Sequence, residues 1–191
     1  FVKASQKCGA FFLRNSRKNI FMQYIRMPIE IESPEEMGYG NIKYNLAESS
    51  VRDICLHDLS IDLKDVVLFY GEHKGIAKLR EAIKEESNVL TSDDVLVTTG
   101  AATALFIVAT TLLNPSDHLV VIRPNYGTNL ETPRAISCNI SIIDLKFEDG
   151  FEINVDEVRN AIQSNTKLIS ITTPHNPTGK LFDEIIIQQL V

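Results

Sequence analysis

Three short stretches hold the residue types best suited to chemistry. In Thr98-Thr99-Gly100-Ala101-Ala102-Thr103 small residues open a helix. Free backbone N–H groups and the positive end of the helix dipole then attract an anion such as phosphate. Arg123-Pro124-Asn125-Tyr126 places an aromatic ring just past an apolar run, where it can stack on a flat heterocycle. Thr173-Pro174-His175-Asn176-Pro177-Thr178-Gly179 frames the Asn176 carboxamide, a donor and an acceptor at once, between two prolines and a glycine. Its Asn-Pro bond is a candidate for the cis form, which would aim the side chain unusually. Taken singly, each stretch has a plain explanation: helix packing, a core or rim tyrosine, a β-turn. Taken together, a phosphate cradle, a stacking ring and a polar orienter describe a site for a phosphorylated aromatic cofactor. The first stretch is not a Walker loop, because no Gly-Lys-Ser/Thr follows it.

The elements that must hold these stretches follow from periodicity. Ile76, Leu79, Ala82 and Ile83 recur at helical spacing, with Lys78, Arg80, Glu81, Lys84 and Glu85 turned to solvent, so this segment is an amphipathic surface helix. Short β-rich runs at 95–98, 119–122, 140–143 and 168–172 then alternate with helical patterns at 102–113 and 128–135. A further helix is capped by Asn154 and has Val155, Val158, Ala161 and Ile162 on its apolar face. Glu157 completes a capping-box pattern with Asn154. Another helix-like segment begins near Phe182, and Ser49-Ser50-Val51-Arg52-Asp53 can open a short one. The near-continuous apolar character of 119–122 and 168–172 is what strands buried on both faces need. The alternation predicts an α/β fold with three α/β/α layers and a mainly parallel sheet. In such a sheet all three chemical stretches leave the carboxyl ends of strands, on one edge.

Composition narrows the function classes. The 191 residues, 44% of them hydrophobic, are enough for one ordinary domain with a packed core. A net charge of −6 disfavours nucleic acid as the main partner, and no apolar run approaches the length of a membrane span. Cys8, Cys55 and Cys138 are far apart and form no Cys-x-x-Cys pair, which argues against a zinc site or a disulfide framework and for a reducing, cytoplasmic compartment. His57, His73 and His118 fall at no metal-ligand spacing and read as surface or capping residues. Residues 1 to 29 carry Lys3, Lys7, Arg14, Arg17, Lys18 and Arg26 and no acid. That stretch reads as a disordered or expression-derived extension ahead of a start near Met22, since its apolar residues form no helical stripe of the kind a transit peptide has.

Four motifs in order carry a family resemblance over about 45–191: Tyr70-Gly71-Glu72-His73-Lys74-Gly75 with Leu79-Arg80; Thr98 to Leu105; Pro115-Ser116-Asp117 leading to Pro124-Asn125-Tyr126; and Pro174-His175-Asn176-Pro177-Thr178-Gly179. The chain resembles the N-terminal half of a pyridoxal-phosphate-dependent aminotransferase of fold type I, in the class I and II group. The resemblance implies the aspartate-aminotransferase-like large domain, incomplete here, with an extension over 1–27, an N-terminal arm and part of a small domain over 28–69, and the first part of the cofactor-binding domain over 70–191. It implies pyridoxal 5'-phosphate as cofactor, with Gly100, Ala101 and Ala102 at its phosphate, Tyr126 on its ring and Asn176 at its phenolic oxygen. Tyr70 would reach the phosphate of a neighbouring subunit, which makes the protein a homodimer with shared sites.

The implied reaction moves an amino group between an amino acid and a 2-oxo acid. A carbon–sulfur lyase or decarboxylase on the same scaffold is the near alternative, and a non-catalytic or cofactor-binding fragment the distant one. Leu46-Ala47-Glu48-Ser49-Ser50 departs from the Leu-Gly-x-Gly-like segment frequent in the family, so the substrate pocket is left open and Glu48 reads as a solvated loop carboxylate. His175 reads as structural, and Lys180 lies too early to be the Schiff-base lysine. That lysine, the aspartate pairing the pyridine nitrogen and the arginine for the substrate carboxylate belong beyond Val191, so no catalytic residue is assigned. The family's later strands lie between those present here. Residues 1–191 alone are therefore expected to expose strand edges at 95–98 and 168–172 and to be inactive.

Overall fold

The computed structural model describes residues 22–25, 34–46, 54–59 and 62–190. The basic stretch up to residue 21, Glu48 and the helix opening at Ser49 lie outside them. A four-residue helix α1 (Pro34–Met37) precedes α2 (Ala77–Glu85) and α3 (Ala101–Leu112). The alternating unit follows: β1 (His118–Arg123), α4 (Thr128–Ile136), β2 (Asn139–Asp144), α5 (Val155–Ala161), β3 (Thr166–Ser170) and α6 (Glu184–Gln188). The strands form a parallel sheet in the order β2-β1-β3.

The layers follow from the alternation along β1, whose residues Leu119 to Ile122 are all but fully buried. Val120 and Ile122 face one side, where Ile143, Leu145, Ile153, Val158 of α5 and Phe182 complete a core. Leu119 and Val121 face the other, against Ala109 and Leu113 of the α3 end and Leu130 and Ile136 of α4. Successive side chains of a strand point to opposite faces, so one apolar run feeds both cores. The three-layer α/β/α arrangement with a parallel sheet is the one expected. Asn154 Oδ1 caps α5 by accepting from the N–H groups of Asp156 and Glu157 at 3.0 and 3.2 Å.

Three expectations need correction. Residues 95–98 form no strand: Val95 is buried, but the segment's backbone bond runs from Val97 N–H to Lys74 O at 2.9 Å rather than to a ladder. A β-rich run becomes a strand only where another strand offers its backbone, and among the described residues none lies beside this one. The apolar stripe of α2 is left partly open, with Ile76 67%, Leu79 45% and Ile83 43% exposed. His118 is neither a surface nor a capping residue. It is fully buried at the start of β1, with Nδ1 2.7 Å from Thr166 Oγ1 on β3 and Nε2 2.9 Å from Ser141 Oγ on β2, so one ring bridges all three strands.

Candidate functional site

β1 and β3 are parallel neighbours, so Pro124–Tyr126 and Thr173–Gly179 leave the sheet from the same edge. The helix start at Gly100 reaches that edge by length. α3 runs into the amino end of β1 through Asn114–Asp117, a turn closed by Asn114 N–H on Asp117 Oδ2 at 2.8 Å. Its twelve residues extend ~18 Å, against ~20 Å for the six residues of β1. A helix of that length, packed back along β1, is about as long as the strand, which lets its N-terminus reach the carboxyl edge. A cavity of about 170 Å³ lies between α3, α4 and β3, with Leu105 of α3, Thr128 and Asn129 of α4, Ser170 at the end of β3 and Ile171 just beyond it in its wall.

At the first wall Gly100 adopts φ 92° and ψ 166°, a region open essentially to glycine alone. A Cβ there would meet nothing within 4 Å, so conformation rather than crowding requires the glycine. Gly100 N–H bonds Thr98 O at 2.9 Å, and the Thr98 hydroxyl donates to Gly100 O at 2.9 Å, which sets the entry into the helix. The N–H groups of Ala101, Ala102 and Thr103 belong to the first turn, which has no intrahelical acceptor for them. Ala101 and Ala102 are exposed.

The second wall hangs on a residue that the sequence reading passed over. Asn125, 9% exposed, donates to Ile122 O at 2.9 Å, while its Oδ1 accepts from Tyr126 N–H at 2.7 Å and from Asn129 Nδ2 at 2.8 Å. With both ends of its carboxamide committed, it turns the chain sharply and leaves the Tyr126 ring 43% exposed at the edge. The signal was available: an asparagine just past a buried strand is a natural partner for local backbone. Beside it Arg123 grips Asp144 through Nε–Oδ1 at 2.6 Å and Nη2–Oδ2 at 2.7 Å, joining the carboxyl ends of β1 and β2. The hydrogen bonds and charge of Arg123 hold the Asp144 carboxyl below its ordinary range.

The third wall is a closed turn in which the Thr173-Pro174 and Asn176-Pro177 peptide bonds are both cis. His175 N–H donates to Lys180 O and Gly179 N–H to His175 O, each at 2.7 Å. Gly179 takes φ 72° to make the return. The turn buries His175 and leaves Asn176 exposed. Lys180 is held by Glu152 in an ion pair.

Tyr70, the remaining site residue predicted from sequence, is fully exposed ahead of the 71–75 loop. That loop is fixed by Arg80, which the helical pattern turned to solvent but whose side chain is only 11% exposed, because three acceptors hold it: Nε donates to Gly75 O at 3.1 Å, Nη1 to Ser92 O at 2.7 Å and Nη2 to Glu72 Oε2 at 3.1 Å. Lys74 O accepts from Val97 N–H, so the loop is docked directly ahead of the Thr98–Gly100 turn. The two alanines, the tyrosine and the asparagine thus offer bare N–H groups, an open aromatic face and a free carboxamide, a donor set that fits a phosphorylated aromatic cofactor. Among the described residues no group of three or more His, Cys, Asp or Glu could hold a metal ion, and no helix is long and apolar enough to cross a membrane.

Comparison with known proteins bears on this arrangement. The family model described as aminotransferase class I and II matches residues 37–191. The chain is similar to an aspartate aminotransferase of Sulfurisphaera tokodaii, 32% identical over 128 residues, which cover 64% of this chain and 32% of that protein. It is 29% identical over 126 residues to an aspartate/prephenate aminotransferase of Thermus thermophilus, covering 63% of this chain and 33% of the relative. A crystal structure of aspartate aminotransferase from Thermotoga maritima superposes with a TM-score of 0.63 at 28% identity, over 68% of this chain and 36% of that one. The chain spans about a third of the length of the curated relatives it matches.

Proposed function

Because the chain belongs to the class I and II aminotransferases, we propose that the natural protein carrying it moves an amino group between an amino acid and a 2-oxo acid, with pyridoxal 5'-phosphate as cofactor. The observation that carries this reading is that Tyr126 and Asn176 stand exposed past the ends of two neighbouring parallel strands, β1 and β3, while the first turn of α3 is exposed as well. When bound, the cofactor supplies an electron sink for the charge that develops at the substrate α-carbon.

The chain's own residues bind and orient it. The N–H groups of Ala101 and Ala102 hold the phosphate dianion, aided by the helix dipole, while Gly100 shapes the turn that presents them. The Tyr126 ring covers one face of the pyridine and excludes water from it. Asn176 donates from its carboxamide to the phenolic oxygen. Tyr70, held out from the Arg80-fixed loop, serves the phosphate of a second subunit, so the working form is a homodimer with shared sites.

The test is made on the natural protein. Titrated with pyridoxal phosphate, it should develop the visible absorbance of bound cofactor. Offered amino donors with 2-oxo acids, aspartate and prephenate first since relatives are named for them, it should yield the new amino acid and 2-oxo acid in equal amounts. Release of ammonia, thiol or carbon dioxide without amination of the oxo acid would assign the site to elimination or decarboxylation instead.

A further inference from the structure

Tyr126 combines an exposed ring with a pinned backbone. Its N–H donates to Asn125 Oδ1 at 2.7 Å and its carbonyl accepts from Asn129 N–H at 3.0 Å, so the peptide groups on both sides of the residue are held. The two asparagines are also tied to each other. Asn129 Nδ2 donates to the same Asn125 Oδ1 at 2.8 Å, and both residues are buried, so water has little access to compete for these bonds.

Chemistry forces the orientation of both amides. Tyr126 N–H can only donate and Ile122 O can only accept, so Asn125 turns its oxygen to the first and its nitrogen to the second. An oxygen of Asn129 placed 2.8 Å from Asn125 Oδ1 would meet another acceptor, so the group there is the NH2. Asn125 Oδ1 thus has both lone pairs in use, one by the loop it belongs to and one by the first turn of α4. That helix is the firm partner, since Leu130 and Ile136 pack in the core with Leu119 and Val121 of β1.

We propose that Asn129 is a positioning residue of the cofactor site: by donating to Asn125 Oδ1 it locks the carboxamide that holds Tyr126 N–H, and so fixes the backbone from which the stacking ring projects. The proposal rests on the cofactor role of Tyr126. It adds that this ring is aimed from α4 through a buried amide pair, and that Asn129 affects the cofactor only by way of Tyr126.

The natural protein tests this in two independent ways. Nitrogen-15 spectra of the asparagine-labelled, cofactor-free protein should show the Asn129 side-chain NH2 exchanging with water at least about tenfold more slowly than exposed asparagine amides, the factor one buried hydrogen bond carries. Exchange at the exposed rate overturns the proposal, and no variant need fold for that result. Pyridoxal phosphate titrations, read by absorbance and near-ultraviolet circular dichroism, then form a double-mutant cycle with Tyr126→Ala. Asn129→Leu keeps the volume without the donor, and Asn129→Ala repeats the cycle with a residue that favours the helix. Each should weaken binding about two- to tenfold while Tyr126 is present, up to the loss caused by Tyr126→Ala itself. In the Tyr126→Ala background the further loss should stay below about twofold, because the two residues act through one contact. Equal losses in both backgrounds, or no loss with Tyr126 in place, would overturn the proposal, since a merely structural residue weakens binding whether or not the ring is there. If the parent protein binds no pyridoxal phosphate, it is the proposed function that fails, while the exchange result still decides whether the amide pair holds.

Discussion

Gly75 lies so close to Val97 that a Cβ on residue 75 would sit 2.5 Å from Val97 Cβ and 2.7 Å from Val97 Cγ2. Gly75 also holds φ at 99°, a conformation that side-chain-bearing residues rarely adopt. The contact docks the loop following Tyr70 onto the segment leading into Gly100. Gly75→Ala should cost about 1–3 kcal/mol from backbone strain alone, with the clash in addition. It should lower the melting temperature and weaken pyridoxal phosphate binding together. An alanine variant as stable as the parent would show that the loop can swing away freely.

Arg80 should be equally intolerant of a conservative change. Its side chain is 11% exposed and serves Gly75 O, Ser92 O and Glu72 from one planar fork. Lysine offers a single ammonium on a flexible stem and cannot meet three divergent acceptors. Arg80→Lys is expected to lose about 1–3 kcal/mol by leaving partly buried carbonyls unpaired. Denaturant unfolding gives the magnitude, and equal stability of parent and variant would mean that water substitutes fully.

Tyr126 should act through its ring. Tyr126→Phe keeps the aromatic face and should bind pyridoxal phosphate within a few-fold of the parent. Tyr126→Ala removes a stacking contact of about 0.5–1.5 kcal/mol, so its affinity should fall roughly two- to tenfold with little change in melting temperature. Equal affinities for all three proteins would remove Tyr126 from the site.

His118 makes stability depend on acid. Burial lowers its pKa below the ordinary 6.5, so the unfolded chain takes up a proton that the folded chain resists. Stability is therefore complete above about pH 6.5 and declines as pH falls from there toward the folded value. His175, likewise lowered by burial, should add to the decline. Melting curves between pH 7.5 and 5 give the slope. Thr166→Val, which strips the partner from Nδ1, should cost about 1–3 kcal/mol at neutral pH.

The division between sequence and tertiary structure is clearest at particular residues. The apolar run Leu119 to Ile122, alternating with amphipathic segments, was enough to place a buried parallel strand between two helical layers, because periodicity expresses which faces must leave water. The motifs around Gly100, Tyr126 and Asn176 were legible because glycine, proline, tyrosine and asparagine each restrict the backbone or carry a recognisable chemical group. What sequence alone could not decide were matters of partnership. Residues 95–98 have strand composition but no ladder, and the apolar stripe of α2 stays partly open, since a pattern announces that a face is to be covered and not whether a neighbour covers it. His118 looked like a surface residue until two strands distant in sequence brought Ser141 and Thr166 to its nitrogens. His175 is the sharpest case. Its neighbours in the chain mark a turn, whereas the fold alone buries its ring against Phe182 and leaves Nε2 without a partner, because burial and hydrogen-bond geometry are properties of what the chain brings together from afar.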